Sequence, residues 1–461
     1  MRKLIMALFA ILMVSPHLYA DAGTYPVMFV AANGSTIQLK VLVDDEDLKD
    51  YRLVGSDGLT LFYPTRNDSF PLRTKNYTRT LVHLTFSDLD FARVFKQTQN
   101  TFSFQVINRG TGQLIDQRQV STLDLNDPHL RFGVTSCLSD SHEFEDIASE
   151  MWESIYSSDI DFLTILDDHV YVDSYDRFSR SYARNSITEM DILDRYIEAT
   201  EANPGFRHPR LIPILSSFGD HDTGKNDATS SAPHMAYART IFKSFYFPTD
   251  FQMPEYQAGP GASYAVDIAG KNFVFLDSRS FRQPHKSVQP NAHLGEGQTN
   301  WVQSLLENDP NRETYFFKGD QFSPDWYNKE SWAYNHPSDF EDFLEMLGDY
   351  GISPRFFSGD IHHAEAVPLP KDHRQLLGKA AHEVSAGALY SIKNPLRFLK
   401  GYSQRSSGTH EYNFVRVEPD GNALNIQAIG QNSEILFSDT LPKVKRVRRQ
   451  KNLCRRLFRS F

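Results

Sequence analysis

Between about 24 and 125 the apolar residues come in short runs: YPVMFVAA, STIQLKVLV, YRLVG, RTLVHLTF, TFSFQVINR and QLIDQRQVS. NG, SDG and GTG turn signals separate them. Regular short strands closed by tight turns predict an antiparallel β-sandwich of immunoglobulin-like type. The stretch DLNDPH, ending near His129, reads as a linker. From Arg131 the rhythm changes to strand followed by helix. RFGVTS, DFLTILD, RLIPILSS, SYAVDIA, NFVFLDS, TYFFKG and PRFFSGD predict strands. EFEDIASEMWESIY, SITEMDILDRYIEATE, WVQSLLEN and SDFEDFLEMLGDY carry helical periodicity. AAHEVSAGA, EYNFVRVE, ALNIQAIG and SEILFSD return to strand. Mixed βα units closed by antiparallel strands predict an α/β sandwich, two mixed sheets flanked by helices. No internal repeat is visible.

Length and composition fit this division. A chain of 461 residues is long enough for two domains, and 34 Phe with 21 Tyr favour a strand-rich fold. The ends differ from the middle. At the start, Arg2 and Lys3 precede an apolar run from Leu4 to Val14, followed by Pro16, Ala20 and Ala22. That layout predicts a cleaved signal peptide over 1–22 and a secreted or periplasmic protein, since the apolar run is too short to span a bilayer. At the other end, 443–461 holds nine Lys or Arg and no acid, whereas 21–442 holds all 58 acids against 37 basic residues. So acidic a body argues against nucleic acid as the primary target. The basic tail is open to three readings: contact with an anionic membrane surface, folding back on the acidic body, or a solvated tail. The expected organisation is 1–22 signal, 23–128 N-terminal β-sandwich, 129–442 catalytic domain and 443–461 tail.

Where the predicted strands end, metal-binding residue types gather. Cys137 closes FGVTSC; Asp167, Asp168, His169, Tyr171 and Asp173 follow FLTIL. Asp220, His221, Asp222, Asn226 and Asp227 follow LIPIL, and Asp360, His362, His363 and Glu365 follow PRFF. Any one run reads equally well as an acidic loop with Asx-turns. Together they read as a two-metal hydrolytic centre, because ligands in open α/β sheets collect at the carboxyl ends of strands. Thiolate and phenolate are donors that suit a ferric ion better than magnesium or calcium. Asp360 and His362, two apart, are expected to share one face of extended backbone, with His169 and His363 as bystanders. Of the two cysteines, Cys137 and Cys454, an exported protein could pair both. The strand-end position favours a metal thiolate or buried free thiol at Cys137.

The ordered set SC, D-x-x-Y, DHDTGKND, LDSRSFR, LGEGQTNWVQSLL and SGDIHHAE resembles the alkaline phosphatase D (PhoD-like) metallophosphatases, within the calcineurin-like metallophosphoesterases. The resemblance runs from about Arg131 to Leu441. It implies a calcineurin-like sandwich with Cys137, Asp168, Tyr171 and His362 around one metal, iron. Asp168, Asp220 and Asp360 would then hold a second, oxygen-rich site for calcium or another divalent cation. His221 would act on the phosphate, Asn226 would contact substrate, and Arg279 would clamp phosphate or else sit in a surface salt bridge. The chain departs from that family in two places. Asp167 stands where it has glycine, adding negative charge, and Phe218–Gly219 replaces a Trp–Asp pair, removing an acid.

The implied reaction is hydrolysis of a phosphate ester by a monomeric enzyme. Two cations roughly 3.5–4 Å apart would acidify a bridging water, whose hydroxide attacks phosphorus in line. The alternatives are phosphodiesterase or phospholipase-D-like activity on the same site, or a non-catalytic surface-binding protein with a degenerate metal site.

Overall fold

The computed structural model describes residues 23–44, 49–89, 101–174, 187–323, 330–394 and 407–450. The expected signal segment over 1–22, Cys454 and the last part of the tail lie outside them. Among the described residues the architecture is mixed α/β, with four sheets.

Two four-stranded antiparallel sheets come first. One runs Val27–Ala32, Ile37–Asp44, Thr78–Phe86, Arg66–Arg73; the other runs Leu61–Phe62, Lys49–Gly55, Thr101–Asn108, Leu114–Ser121. Phe86 of the first meets Phe104 of the second edge-on, ring centroids 6.3 Å apart. The Arg66–Arg73 strand escaped the sequence reading because it is mostly polar and exposed. It is a sheet edge, where its Pro71 is tolerated.

Two larger sheets form the rest. In the seven-stranded sheet, Phe132–Leu138, Phe162–Leu166 and Ile214–Ser217 are parallel neighbours. The antiparallel strands Phe414–Asp420, Ala423–Ile429 and Ile435–Leu441 extend it. In the eight-stranded sheet, Lys271–Phe275, Glu313–Lys318, Ser353–Ser358 and His382–Ser385 run parallel. The sheets meet through aromatic rings. Phe132 of the first lies 5.4 Å from Phe273, 6.1 Å from Phe317 and 5.7 Å from Phe357 of the second. Phe317 itself stacks on Phe357 at 4.9 Å. This dry ladder fixes the two sets of parallel strands against each other, and therefore fixes where their ends lie.

The four helical patterns become helices Glu145–Ser157, Glu189–Ala202, Gly295–Asn308 and Pro337–Asp349. Thr188 and Asp191 form a capping box at the second. Helix Met235–Tyr246 was not predicted: it is rich in aromatic residues, and its N-cap, His234, is left-handed and makes no side-chain cap. Its C-terminal end is held by the N-terminal sheet. Lys40 Nζ donates to the carbonyls of Lys243 (2.8 Å) and Ser244 (2.7 Å), satisfying groups the helix leaves open. Residues 443–450 fold back on the body. Lys445 O accepts from Ala380 N at 2.8 Å, and Arg449 pairs with Asp349 at 2.7 Å. Among the described residues no helix is long and apolar enough to cross a membrane.

His83, in the Thr78–Phe86 strand, packs against the same helix end with Nε2 2.9 Å from Ser244 O. Burial, and then the Lys40 ammonium, push its pKa from 6.5 down to about 3. The unfolded chain takes up this proton near pH 6.5 and the native state does not, so stability falls as pH drops from 6.5 toward 3. At pH 5 the loss from this group is about 2 kcal/mol. Urea unfolding at pH 7 and pH 5 checks it: His83→Phe is expected to lose less stability over that step than the parent. Equal losses would mean that His83 is not neutral in the fold.

Candidate metal centre

A strand alternates its side chains between two faces, so neighbours such as Asp167 and Asp168 ordinarily point apart. Here the backbone breaks that alternation. Cys137, Asp167, Asp168, Asp227, Asp360 and His362 all take left-handed φ, from 51° to 85°. For non-glycine residues this costs on the order of 1 kcal/mol or more each, and such positions cluster at functional sites. Asp360 and His362 therefore do not share a face of extended backbone as expected. Each is turned inward by its own left-handed residue.

The turns bring four groups of ligand atoms together, each within 4.8 Å. Cys137, Asp168 and His362 form one; Asp168, Asp220 and His221 a second; Asp167, Asp220 and Asp360 a third; Asp220, Asp227 and Glu330 a fourth. Cys137 Sγ is 3.5 Å from Asp168 Oδ2. Tyr171 Oη is 3.5 Å from His362 Nε2 and accepts from Ser391 Oγ at 2.9 Å. The other imidazole nitrogen of His362 contacts the carbonyl of Ile392. His221 N–H reaches Asp220 Oδ1 at 2.9 Å and Asp168 Oδ1 at 3.2 Å. His221 Nδ1 lies 2.7 Å from Asp173 Oδ1.

Electrostatics say what this donor set lacks. Burial, and next the Asp168 carboxylate, push the Cys137 thiol well up; burial and then Cys137 do the same to the Tyr171 phenol. Burial, followed by Asp167, raises Asp168, and burial, followed by Glu330, raises Asp360. These groups cannot all be anionic together without a cation among them. Thiol, phenol, carboxylate and imidazole at one point are the donors of a transition metal, and Cys137, Asp168, Tyr171 and His362 fit one. Burial opposes charge on His221, but Asp168, Asp173 and Asp220 outweigh it and hold its pKa well above the ordinary value.

The second set is different. Arg279 is fully buried, neither clamping from an open pocket nor lying in a surface salt bridge. Its guanidinium pairs with Asp167 (3.0 Å), Asp360 (3.1 Å), Glu330 (2.8 Å) and, more loosely, Asp220 (3.8 Å). Asp167, which looked like added negative charge in the sequence, is thus compensated. Burial, relieved in part by Arg279, raises it to about 7. Nor is an acid simply lost at Gly219. A Cβ there would lie 1.7 Å from Asp167 Oδ1 and 2.4 Å from Asp168 N, so no side chain fits beside this Asp167. The carboxylate absent from 219 reaches the same space from 167.

Asn226 is exposed, on the loop between Asp220 and Asp227. Asp227 N–H binds Asp220 Oδ2 at 2.5 Å. His169 is buried against Phe242 and Tyr246, with Nε2 2.9 Å from Ser216 Oγ. His363 is buried next to Glu365. Neither enters the four groups. Sequence reasoning gave no role to Asp173, although it stands in the quoted run. Glu330 it missed outright, because its segment KESWAYN carries no strand-end signature. Cys137 is a buried free thiol.

No protein-family model matches the chain, and no curated protein matches it. Among solved structures it is similar to GAP50, the anchor in the inner membrane complex of Plasmodium, at 13% identity and a TM-score of 0.42, over 72% of this chain and 94% of that one. It is also similar to a predicted phosphoesterase from Streptococcus pneumoniae TIGR4, at 11% identity and 0.23, over 68% and 97%. A Bacteroides uniformis beta-glucuronidase matches at 9% and 0.27, over 92% and 58%. All three scores are below 0.5, so function is argued from the side chains.

Asp167 also fills the space over Gly319, where a Cβ would lie 1.9 Å from Oδ2 and 2.4 Å from Cγ. Gly319→Ala is expected to cost about 1–3 kcal/mol by overpacking. In an Asp167→Gly background most of that cost should vanish, measured as a double-mutant cycle by urea unfolding. Strict additivity would show that the carboxylate does not occupy that space.

Proposed function

We propose that this chain is a metal-dependent phosphoester hydrolase of the alkaline phosphatase D type. The observation that carries the reading is the convergence of Cys137, Asp168 and His362 on one point, with Tyr171 beside them and His221 next to Asp168. Cys137, Asp168, Tyr171 and His362 would hold the metal, for which iron suits the thiol and phenol best. When bound, that metal supplies Lewis-acid polarisation of a phosphoryl oxygen and an acidified water. Asp220 and Asp360, the residues of the oxygen-rich calcium position, lie alongside, and Arg279 stands among them.

His221 has the arrangement of a general acid. A carboxylate only accepts, so Nδ1 donates to Asp173 and Nε2 is left to serve the leaving oxygen. The surrounding carboxylates raise its pKa well above the ordinary value, which favours the state that donates. The Tyr171 ring packs on His221, with centroids 4.4 Å apart, and limits its rotation. Asn226, exposed at the rim, is proposed to contact substrate.

The same reading takes 1–22 as an export signal, 23–128 as an immunoglobulin-like β-sandwich, 129–442 as the catalytic unit with a calcineurin-like layout, and 443–461 as a basic tail whose end meets an anionic membrane surface. The protein is proposed to be monomeric and secreted or periplasmic.

With a generic aryl phosphate, His221→Ala is expected to lower turnover by about 10²–10⁴. Asp168→Asn is expected to abolish it, and both variants should keep the parent's far-UV circular dichroism. Near-normal turnover in either folded variant would remove this reading.

A further inference from the structure

Asp167, Asp220 and Asp360 present oxygens within 4.8 Å of one another, the spacing that a hard cation needs. All three are ion-paired to the same guanidinium. Arginine stays charged in any environment and offers a planar fork of donors. In this chain the fork is anchored at its far side as well. Arg279 Nη1 binds Glu330 Oε2 at 2.8 Å, and Arg282 Nη1 binds the same oxygen at 3.0 Å. The backbone N–H of Arg279 donates to Asp277 Oδ1 at 3.1 Å. Asp167 reaches the guanidinium only because residues 219 and 319 are glycines that leave room for its carboxylate. Such packing is specific to holding an arginine there.

We propose that Arg279 takes the place of the second cation, so that the centre holds one metal ion per chain, at Cys137, Asp168 and His362. This deepens the hydrolase reading and rests on it. The guanidinium supplies fixed positive charge beside the metal, while its terminal N–H groups stay on Asp167, Asp360 and Glu330. It does not acidify water, so that task falls to the single metal position. Binding a divalent ion at Asp167, Asp220 and Asp360 would require the guanidinium to leave those oxygens. Keeping it nearby would set two buried cations side by side.

The test is metal stoichiometry. The full chain is stripped with chelator, reloaded with iron and excess calcium, desalted and analysed for metal per chain. One equivalent in the parent supports the proposal; two equivalents, or none, overturn it. Arg279→Gln frees the carboxylates, and a rise to two equivalents in that variant supports it further. A folded Arg279→Gln that stays at one equivalent shows that the guanidinium was not what excluded the second ion, and overturns it. Should the variant not fold, the parent's stoichiometry alone decides. Aryl phosphate turnover on the same samples separates the two readings. One equivalent without hydrolysis removes the phosphatase and leaves the Arg279 assignment standing, while two equivalents with hydrolysis do the reverse.

Discussion

The buried Arg279 guanidinium and the carboxylates around it set the terms for the rest of the centre. Asp167, Asp220 and Asp360 come from the ends of three strands in two different sheets, and Glu330 from a separate segment. In water their mutual repulsion would be small, but at these burials each uncompensated charge is costly. One guanidinium meets all four. The remaining donors, Cys137, Asp168, Tyr171 and His362, lie outside its reach, and burial drives the thiol, the phenol and Asp168 toward their neutral forms. The protein thus divides its strand-end acids into a part neutralised from within and a part whose donors could hold a metal ion.

That division depends on local backbone choices. Left-handed residues at 167 and 168 let consecutive aspartates serve different neighbours: Asp167 faces Arg279, while Asp168 faces Cys137 and His221. A regular strand would have sent one of them to the opposite face. The conformational cost is offset by the aromatic ladder behind, where Phe132, Phe273, Phe317 and Phe357 pack the two sheets against each other.

Much of this was legible in sequence, for identifiable reasons. Strands such as FLTIL and PRFF are buried on both faces, so they appear as continuous apolar runs, and their ends are marked by the first acid. That signal found Cys137, Asp168, Asp220, Asp360 and His362. It failed for members of the cluster that lie away from a strand end: Glu330 carries no such mark, and Asp173 joins only when the chain turns it toward His221. Arg279 was visible as a residue, but its setting was not. Nothing in LDSRSFR says whether the guanidinium opens toward a ligand or is surrounded by carboxylates from segments up to 112 residues away. Helix Met235–Tyr246 was hidden because its aromatic residues read as strand formers and its start has no cap.

That helix ties the N-terminal strands to the chemistry. Lys40 closes its last turn with two hydrogen bonds from a fully buried ammonium. Burial, and then Lys243, push the Lys40 pKa well down. The helix carries Phe242 and Tyr246 against His169 on the Asp168 loop, and Phe242 against Phe218, two residues before Asp220. The path from Lys40 to Asp168 and Asp220 therefore runs through one packed helix. Removing the first sheet would leave the helix end without the contacts of Lys40 and His83. On physical grounds the N-terminal strands act as a brace for the centre, sharing one continuous apolar core with the strands that carry it.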